Sequence, residues 1–246
     1  MTATEDGLPL EPDAIPPPPR WPGMALVSAS LDQAFDQMAS DLVATALDAV
    51  TQRGVFHLAI SGDDALQPLL DRMMLDPGLR TMPWKLTHVW QADERCDEHG
   101  EGGCAWRRIS DTLVPHAGLG RGHAHPMPAM DEVGPEHYAR RMRRTMGRTG
   151  LDCVVLRAEP DGTLGGMLQG HEFDGSPLAF VRHGQGSKVT MTPSLVGKAG
   201  SLMVLVDEGD ARRQIDRDLP VERSPIASVL RQGVHPSWYI SSPAMR

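Results

Sequence analysis

Cysteine is scarce in this sequence of 246 residues: only Cys96, Cys104 and Cys153 are present. Three thiols make no disulfide framework, which fits a reducing compartment. No apolar run approaches the ~20 residues of a membrane helix, so no membrane partner is expected. The N-terminus lacks the charged-then-apolar order of a secretory leader, and the expected location is cytoplasmic. Positive charge is also short, with 24 Lys and Arg against 32 Asp and Glu and a net charge of −8. Phosphate backbones reward clustered Lys and Arg, so no nucleic-acid partner is expected.

What is present is an ordinary globular composition, 40% hydrophobic and 23% charged. The length suffices to bury a core without disulfides or metal. Residues 1–23 stand apart. Pro16 to Pro19 form a polyproline run, Glu5, Glu11 and Asp13 add charge, and an extended or disordered tail is expected. Residues 24–246 are expected to form one domain.

The body alternates strand and helix signals. Leu26 and Val27 suggest a first strand. Ser30 and Gln33 have capping-box spacing, and Leu31, Phe35, Met38, Leu42, Ala46, Leu47 and Val50 follow at helical intervals up to Gly54. Val55–Ile60 reads as a strand covered on both faces, followed by Ser61-Gly62-Asp63-Asp64 and a helix over 65–74. Leu86–Ala92 reads as the next strand, ending in Asp93-Glu94-Arg95, with a helix over 106–114 beyond a polar loop. Gly134-Pro135 opens a helix rich in arginine, a solvated face by default. Strands over 153–156, 189–192, 202–206 and 238–240 and helices over 211–219 and 225–231 complete the pattern. The implied fold is a three-layer α/β/α sandwich with a mainly parallel, Rossmann-like sheet. In such sheets ligands bind at the carboxyl ends of the strands. The stretch Leu151–Gly170 has that form, a strand running into Pro160-Asp161-Gly162 and a glycine-rich segment.

The order of these motifs resembles the 6-phosphogluconolactonase family, within the glucosamine-6-phosphate deaminase and ribose-phosphate isomerase fold group. Leu58-Ala59-Ile60-Ser61-Gly62 is similar to the strand and turn before the family's SGGSTP phosphate loop. Asp93-Glu94-Arg95 is similar to its DER, and Cys104-Ala105-Trp106-Arg107 falls where it has Ser-Asn and an aromatic. Leu151-Asp152 and Pro160-Asp161-Gly162 frame its GMGxDGH segment. Lys188-Val189-Thr190-Met191-Thr192 resembles its R-I-T-L-T strand, and Pro225–Val229 and Trp238-Tyr239-Ile240 its closing elements. The resemblance implies a protein of carbohydrate metabolism whose ancestral reaction is hydrolysis of 6-phosphoglucono-lactone, without cofactor, in the pentose phosphate pathway. It implies a sugar-phosphate-like ligand in a cleft holding Arg95, Asp161, Gly162 and Thr163, with Ser61, Gly62, Arg95 and Lys188 as substrate-binding residues.

The departures predict an activity lost or altered. The family's catalytic histidine falls on Thr163, and its Gly-Met-Gly on Arg157, Ala158 and Glu159. A positioned base contributes about 10²–10⁴-fold to such a hydrolysis, and a threonine hydroxyl takes no proton near neutrality. Asp63 and Asp64 replace a glycine and a serine of the phosphate loop. At an effective dielectric of about 20, like charges ~4 Å apart oppose each other by roughly 4 kcal/mol, so phosphate should bind poorly there. The alternative role for Asp63 is a helix N-cap, with Asp64 in the first turn. Glu159 and His171 are the candidate substitute bases. Arg212 is the candidate replacement for a lysine lost near Ala211. The other functional reading is a non-catalytic family member that binds a protein partner or a different small molecule, as a monomer or homodimer. Cys96, His99 and Cys104 are zinc-ligand types, with His123 and His125 as possible neighbours, but their spacing matches no standard site, and no metal is expected.

Overall fold

The computed structural model describes residues 15–95, 105–127, 134–183, 186–207 and 209–242. The first strand, β1 (Met24–Ser28), leads into helix α1 (Leu31–Arg53). Ser30 Oγ accepts the Gln33 N–H at 3.2 Å, and Gln33 Oε1 reaches back to the Ala29 N–H at 3.1 Å, a capping box displaced by one residue. Gly54 closes the helix at φ 75°, where a side chain would be strained, and its N–H reaches the Val50 carbonyl. Phe35, Met38, Leu42 and Ala46 are buried. Leu47, expected on that stripe, is 40% exposed, because it lies about 100° around the helix from Ala46.

Strand β2 (Phe56–Ile60) is buried at all five positions. Helix α2 (Gln67–Leu75), β3 (Thr87–Gln91), α3 (Ala105–Leu113), the two-residue β5 (Ala124–His125), α4 (Gly134–Met146) and β6 (Cys153–Arg157) follow, with β4 (Asp93–Arg95) between β3 and α3. Beyond them come β7 (Leu178–His183), β8 (Gly186–Met191), α5 (Pro193–Val196), β9 (Ser201–Val206), α6 (Gly209–Asp218), α7 (Pro225–Leu230) and β10 (Pro236–Ser241). The main sheet has the order β1-β10-β9-β6-β2-β3-β5, and each described pairing in it is parallel.

The segment Asp93-Glu94-Arg95, expected as the end of a main-sheet strand, enters a second sheet of order β4-β8-β7, antiparallel throughout. Ala92 makes the transfer: its N–H bonds Ile60 O in the main sheet, and its carbonyl accepts from Met191 N–H in the small one. Strand β7 was not foreseen, since a four-residue apolar run does not by its period distinguish strand from helix.

Parallel strands need cover on both faces. Residues of α1, α2 and α3 pack with Phe56, Leu58, Ile60, Val89 and Val155 on one face. On the other, α4 to α7 and the small sheet pack with Ala59, Trp90, Val154, Leu156, Val204 and Trp238. Trp21, just before β1, packs edge-on against Trp238 with ring centroids 5.0 Å apart and donates from Nε1 to Asp216.

Two polar features sit inside this framework. Buried Asp152 accepts the His57 N–H at 2.7 Å and pairs with Arg53. His57 and His88 are paired across β2 and β3, and His88 Nδ1 lies 2.9 Å from His125 Nε2. His88 stacks on His123 at 3.8 Å, and His125 stacks on Trp90 at 3.6 Å. Burial, followed by mutual repulsion, lowers His88 to about 4 and His125 to about 3 from an ordinary 6.5, and burial lowers His57.

At these three histidines the unfolded chain therefore binds more protons than the native one below about pH 6.5. Their contribution to stability should be lost as pH falls from there towards 4, while Glu159 and Asp93, which hold their protons more tightly in the native state, act in the opposite direction. A pH dependence of the melting temperature left unchanged by His88→Gln in that window would contradict this. Asp152→Ala, which strands the buried His57 N–H, should cost about 1–3 kcal/mol in chemical denaturation.

Candidate active-site cleft

From β2 the chain order runs one way to β3 and β5, while β6 leads the other way to β9, β10 and β1. The carboxyl ends of β2 and β6 diverge at this switch point, where a doubly wound sheet leaves its ligand crevice. A cleft of about 480 Å³ opens there, lined by Gly62, Asp63, Asp64, Ala65, Asp93, Ala105, Arg108, Arg157, Glu159 and Lys188.

The turn after β2 forms one wall. A Cβ on Gly62 would lie 2.3 Å from the Ala105 carbonyl, so only glycine lets α3 start this close. Asp63 is extended and its Oδ1 accepts the Ala65 N–H at 2.8 Å, capping the short helical turn 64–66. Its own N–H donates to Ser61 Oγ at 3.3 Å. Asp64 pairs with Arg108, which also donates to the Gly62 carbonyl. Buried Glu94 accepts the N–H groups of Ala105 and Trp106 at 2.9 and 3.0 Å, so this carboxylate anchors the start of α3.

The opposite wall is the end of β6. Arg157 Nε lies 2.9 Å from Asp207 and Nη1 3.6 Å from Asp63. The loop beyond turns tightly: Glu159 N–H bonds Thr163 O at 2.8 Å, Gly162 N–H bonds Glu159 O at 3.1 Å, and Asp161 Oδ1 accepts the Thr163 N–H at 2.9 Å. Lys188 enters from β8, with Arg95 opposite it in the strand register.

Two carboxyls of the cleft hold protons more tightly than usual. Glu159 is raised to about 7 by burial, then by Asp161 and Asp63, with Lys188 and Arg157 opposing. Asp93 is raised to about 6, again chiefly by burial, against a Ser61 hydrogen bond and the Lys188 charge. Asp93 Oδ1 is enclosed and has no hydrogen-bond partner. Perturbed carboxyls clustered in a crevice are a signature of functional sites.

The structure thus brings Gly62, Glu159 and Lys188 into one cleft, with Ser61 buried beneath it. Thr163 is buried, and its loop partner Asp161 is exposed; both border a neighbouring pocket with His171, outside the cleft. Arg212 faces Asp216 at 4.0 Å instead of the cleft. The Arg95 side chain and residues Cys96, His99 and Cys104 lie outside the described residues. Among the described residues no group of three or more His, Cys, Asp or Glu is arranged to hold a metal ion. No helix among them is long and apolar enough to cross a membrane.

Sequence reading missed Arg108, Asp93 as a proton-holding group, and Asp207. Asp207 carried a usable signal, an acid at the carboxyl end of a sheet strand. Arg108 carried none, since its role depends on where α3 packs.

A doubly wound α/β protein with a polar switch-point cleft is the class that fold and site define. The glucosamine-6-phosphate isomerase/6-phosphogluconolactonase family model matches residues 29–238, and the chain belongs to this family. It is 27% identical over 237 residues to the human GDH/6PGL endoplasmic bifunctional protein, covering 89% of this chain and 30% of that protein. The chain thus spans less than a third of the length of the curated relatives it matches. The crystal structure of devB protein superposes with a TM-score of 0.76 at 18% identity, over 90% of this chain and 97% of that one. The 6-phosphogluconolactonase of Trypanosoma brucei does so with 0.73 at 14% identity, over 90% and 97%. At these identities the two structures establish the fold.

Gly162 has φ 86°, and a Cβ there would lie 2.8 Å from Asp218 Oδ2. Gly162→Ala should therefore lower stability by about 1–3 kcal/mol, read as a fall in melting temperature.

Proposed function

We propose that this cleft is a 6-phosphogluconolactonase-type hydrolytic site of altered chemistry, acting on a sugar lactone in carbohydrate metabolism. The observation that carries the reading is the placement of Glu159, half-buried and holding its proton to about pH 7, beside Lys188 in the switch-point cleft. Family membership supports the reaction class. The conformation of the 159–163 loop supports Glu159 over the other candidate: it turns residue 159 into the cleft, while His171 borders other pockets. The whole of residues 24–246 serves as one domain, and a cytoplasmic location is part of the same reading.

In this reading the Glu159 carboxylate takes a proton from water as the water oxygen bonds to the lactone carbonyl carbon. Lys188 stabilises the oxyanion that forms, as a fixed positive charge does in a site partly shielded from water. Collapse breaks the bond from carbonyl carbon to ring oxygen, and that oxygen takes the proton back from Glu159. Water and lactone become one hydroxy acid, and no cofactor enters the balance. Asp93, deeper and bonded to Ser61, orients the turn instead of reacting.

Purified protein should hydrolyse glucono-1,5-lactone or its 6-phosphate above the spontaneous rate, and Glu159→Gln should remove about 10²–10⁴-fold of that acceleration. His171→Ala should leave it. Because the base acts deprotonated, the rate should rise with pH through about 7. No turnover of either lactone, or a Glu159→Gln enzyme as fast as the parent, would overturn the reading in favour of a binding protein.

A further inference from the structure

We infer that the cleft selects an unphosphorylated sugar lactone, or the aldonate it yields, over the phosphorylated form. The inference rests on the reading of the cleft as a sugar-lactone site and concerns its far wall, the turn 61–65. A strand running through a tight turn into a helical start normally offers free backbone N–H groups to an anion. Here the anion is already present and covalently part of the chain. The Ala65 N–H is held by Asp63 Oδ1 at 2.8 Å, and the Leu66 N–H by the Asp63 carbonyl at 3.0 Å. The Asp63 N–H turns inward to Ser61 Oγ.

The cations of this wall are committed as well. Arg108 is shared between the Asp64 carboxylate and the Gly62 carbonyl. Arg157 lies between Asp63 and Asp207. Three carboxylates thus face two guanidinium groups at this end. Lys188 enters the same cleft from β8, where its charge acts on Asp93 and Glu159 against that of Asp63. A phosphate entering beside Ala65 would meet the Asp63 and Asp64 carboxylates before any uncommitted cation among the described residues. A hydroxyl meets the opposite situation, since each carboxylate is a hydrogen-bond acceptor. The cleft volume of about 480 Å³ leaves ample room for a six-carbon sugar acid.

The test uses gluconate and 6-phosphogluconate as binding probes, read by calorimetry or thermal shift on the full chain. The parent protein should bind gluconate about tenfold or more tightly than 6-phosphogluconate, the margin expected of one partly screened like-charge contact. That margin should shrink as salt rises, because the repulsion is screened within ~10 Å at 0.1 M. Asp63→Ser with Asp64→Ser should cancel or reverse the preference, and serine retains the capping role that keeps the turn folded. Asp64→Ser alone, which leaves the Asp63 cap intact, should shift the ratio in the same direction. Tighter binding of 6-phosphogluconate by the parent, an unchanged ratio in the variants, or binding of neither acid would overturn the inference. Turnover separates it from the hydrolase reading. A gluconate preference without lactone hydrolysis sinks only the latter, and hydrolysis with a phosphate preference sinks only the former.

Discussion

The seam between β2 and β6 governs the rest of the molecule. These strands are adjacent in the sheet but separated by nearly a hundred residues in sequence, and their pairing closes the largest loop in the main sheet's interior. Asp152 secures it from the amino end, with its carboxylate on the His57 N–H and Arg53 and its carbonyl receiving Ser201. At the carboxyl end, Ser61 N–H bonds Val155 O, the last ladder bond before the two chains part. Two walls of the cleft derive from that parting: the 61–65 turn leaves on one side, Arg157 and Glu159 on the other. The small antiparallel sheet then brings Lys188 across the gap. Burying a strand such as Phe56–Ile60 on both faces fixes its register, because a slip of one residue would exchange the two cores. The cleft inherits that rigidity.

Charge within the cleft is arranged so that carboxylates and guanidinium groups largely satisfy one another. Arg157 and Arg108 each bridge the turn to another part of the fold. They therefore serve structure, by neutralising Asp63, Asp64 and Asp207, before they serve any ligand. Partly buried pairs of this kind survive because removing one partner leaves the other charge uncompensated. Asp93 and Glu159 form no ion pair with a guanidinium or ammonium group among the described residues, and burial makes both hold their protons more tightly. On the proposed reading, this division separates the wall that shapes the cleft from Glu159, the group that transfers protons.

Much of this was legible in the sequence. The layer architecture, the capping of α1 by Ser30, the closure at Gly54 and the buried runs of β2 and β6 follow from local periodicity and cap chemistry. The candidates Gly62, Glu159 and Lys188 could be singled out through the family resemblance; Gly62 and Glu159 also follow strand ends, whereas Lys188 lies within β8. The second sheet could not be read, because Asp93-Glu94-Arg95 is indistinguishable locally from the tail of β3, and only the Ala92 link to Met191 redirects it. The histidine cluster was equally hidden. His57, His88, His123 and His125 are scattered in sequence, and only the parallel register of β2, β3 and β5 stacks their rings. Arg108 and Asp207 belong with these: each is defined by its partner across the fold.

The loop 159–163 keeps its shape independently of the side chain at its end. Its turn is built from main-chain bonds between Glu159 and Thr163, the positive φ of Gly162, and the Asp161 carboxylate on the Thr163 N–H. None of these depends on the side chain at position 163, which is buried and borders a different pocket. The turn therefore stands whatever that side chain is, and the position it presents to the cleft is 159. A carboxyl there is drawn out of bulk water by the same fold that shapes the loop, which raises its affinity for protons towards neutrality. On the proposed reading, the fold supplies the perturbed environment and the residue at that point supplies the proton acceptor. The chemistry can then move along the loop without the loop moving.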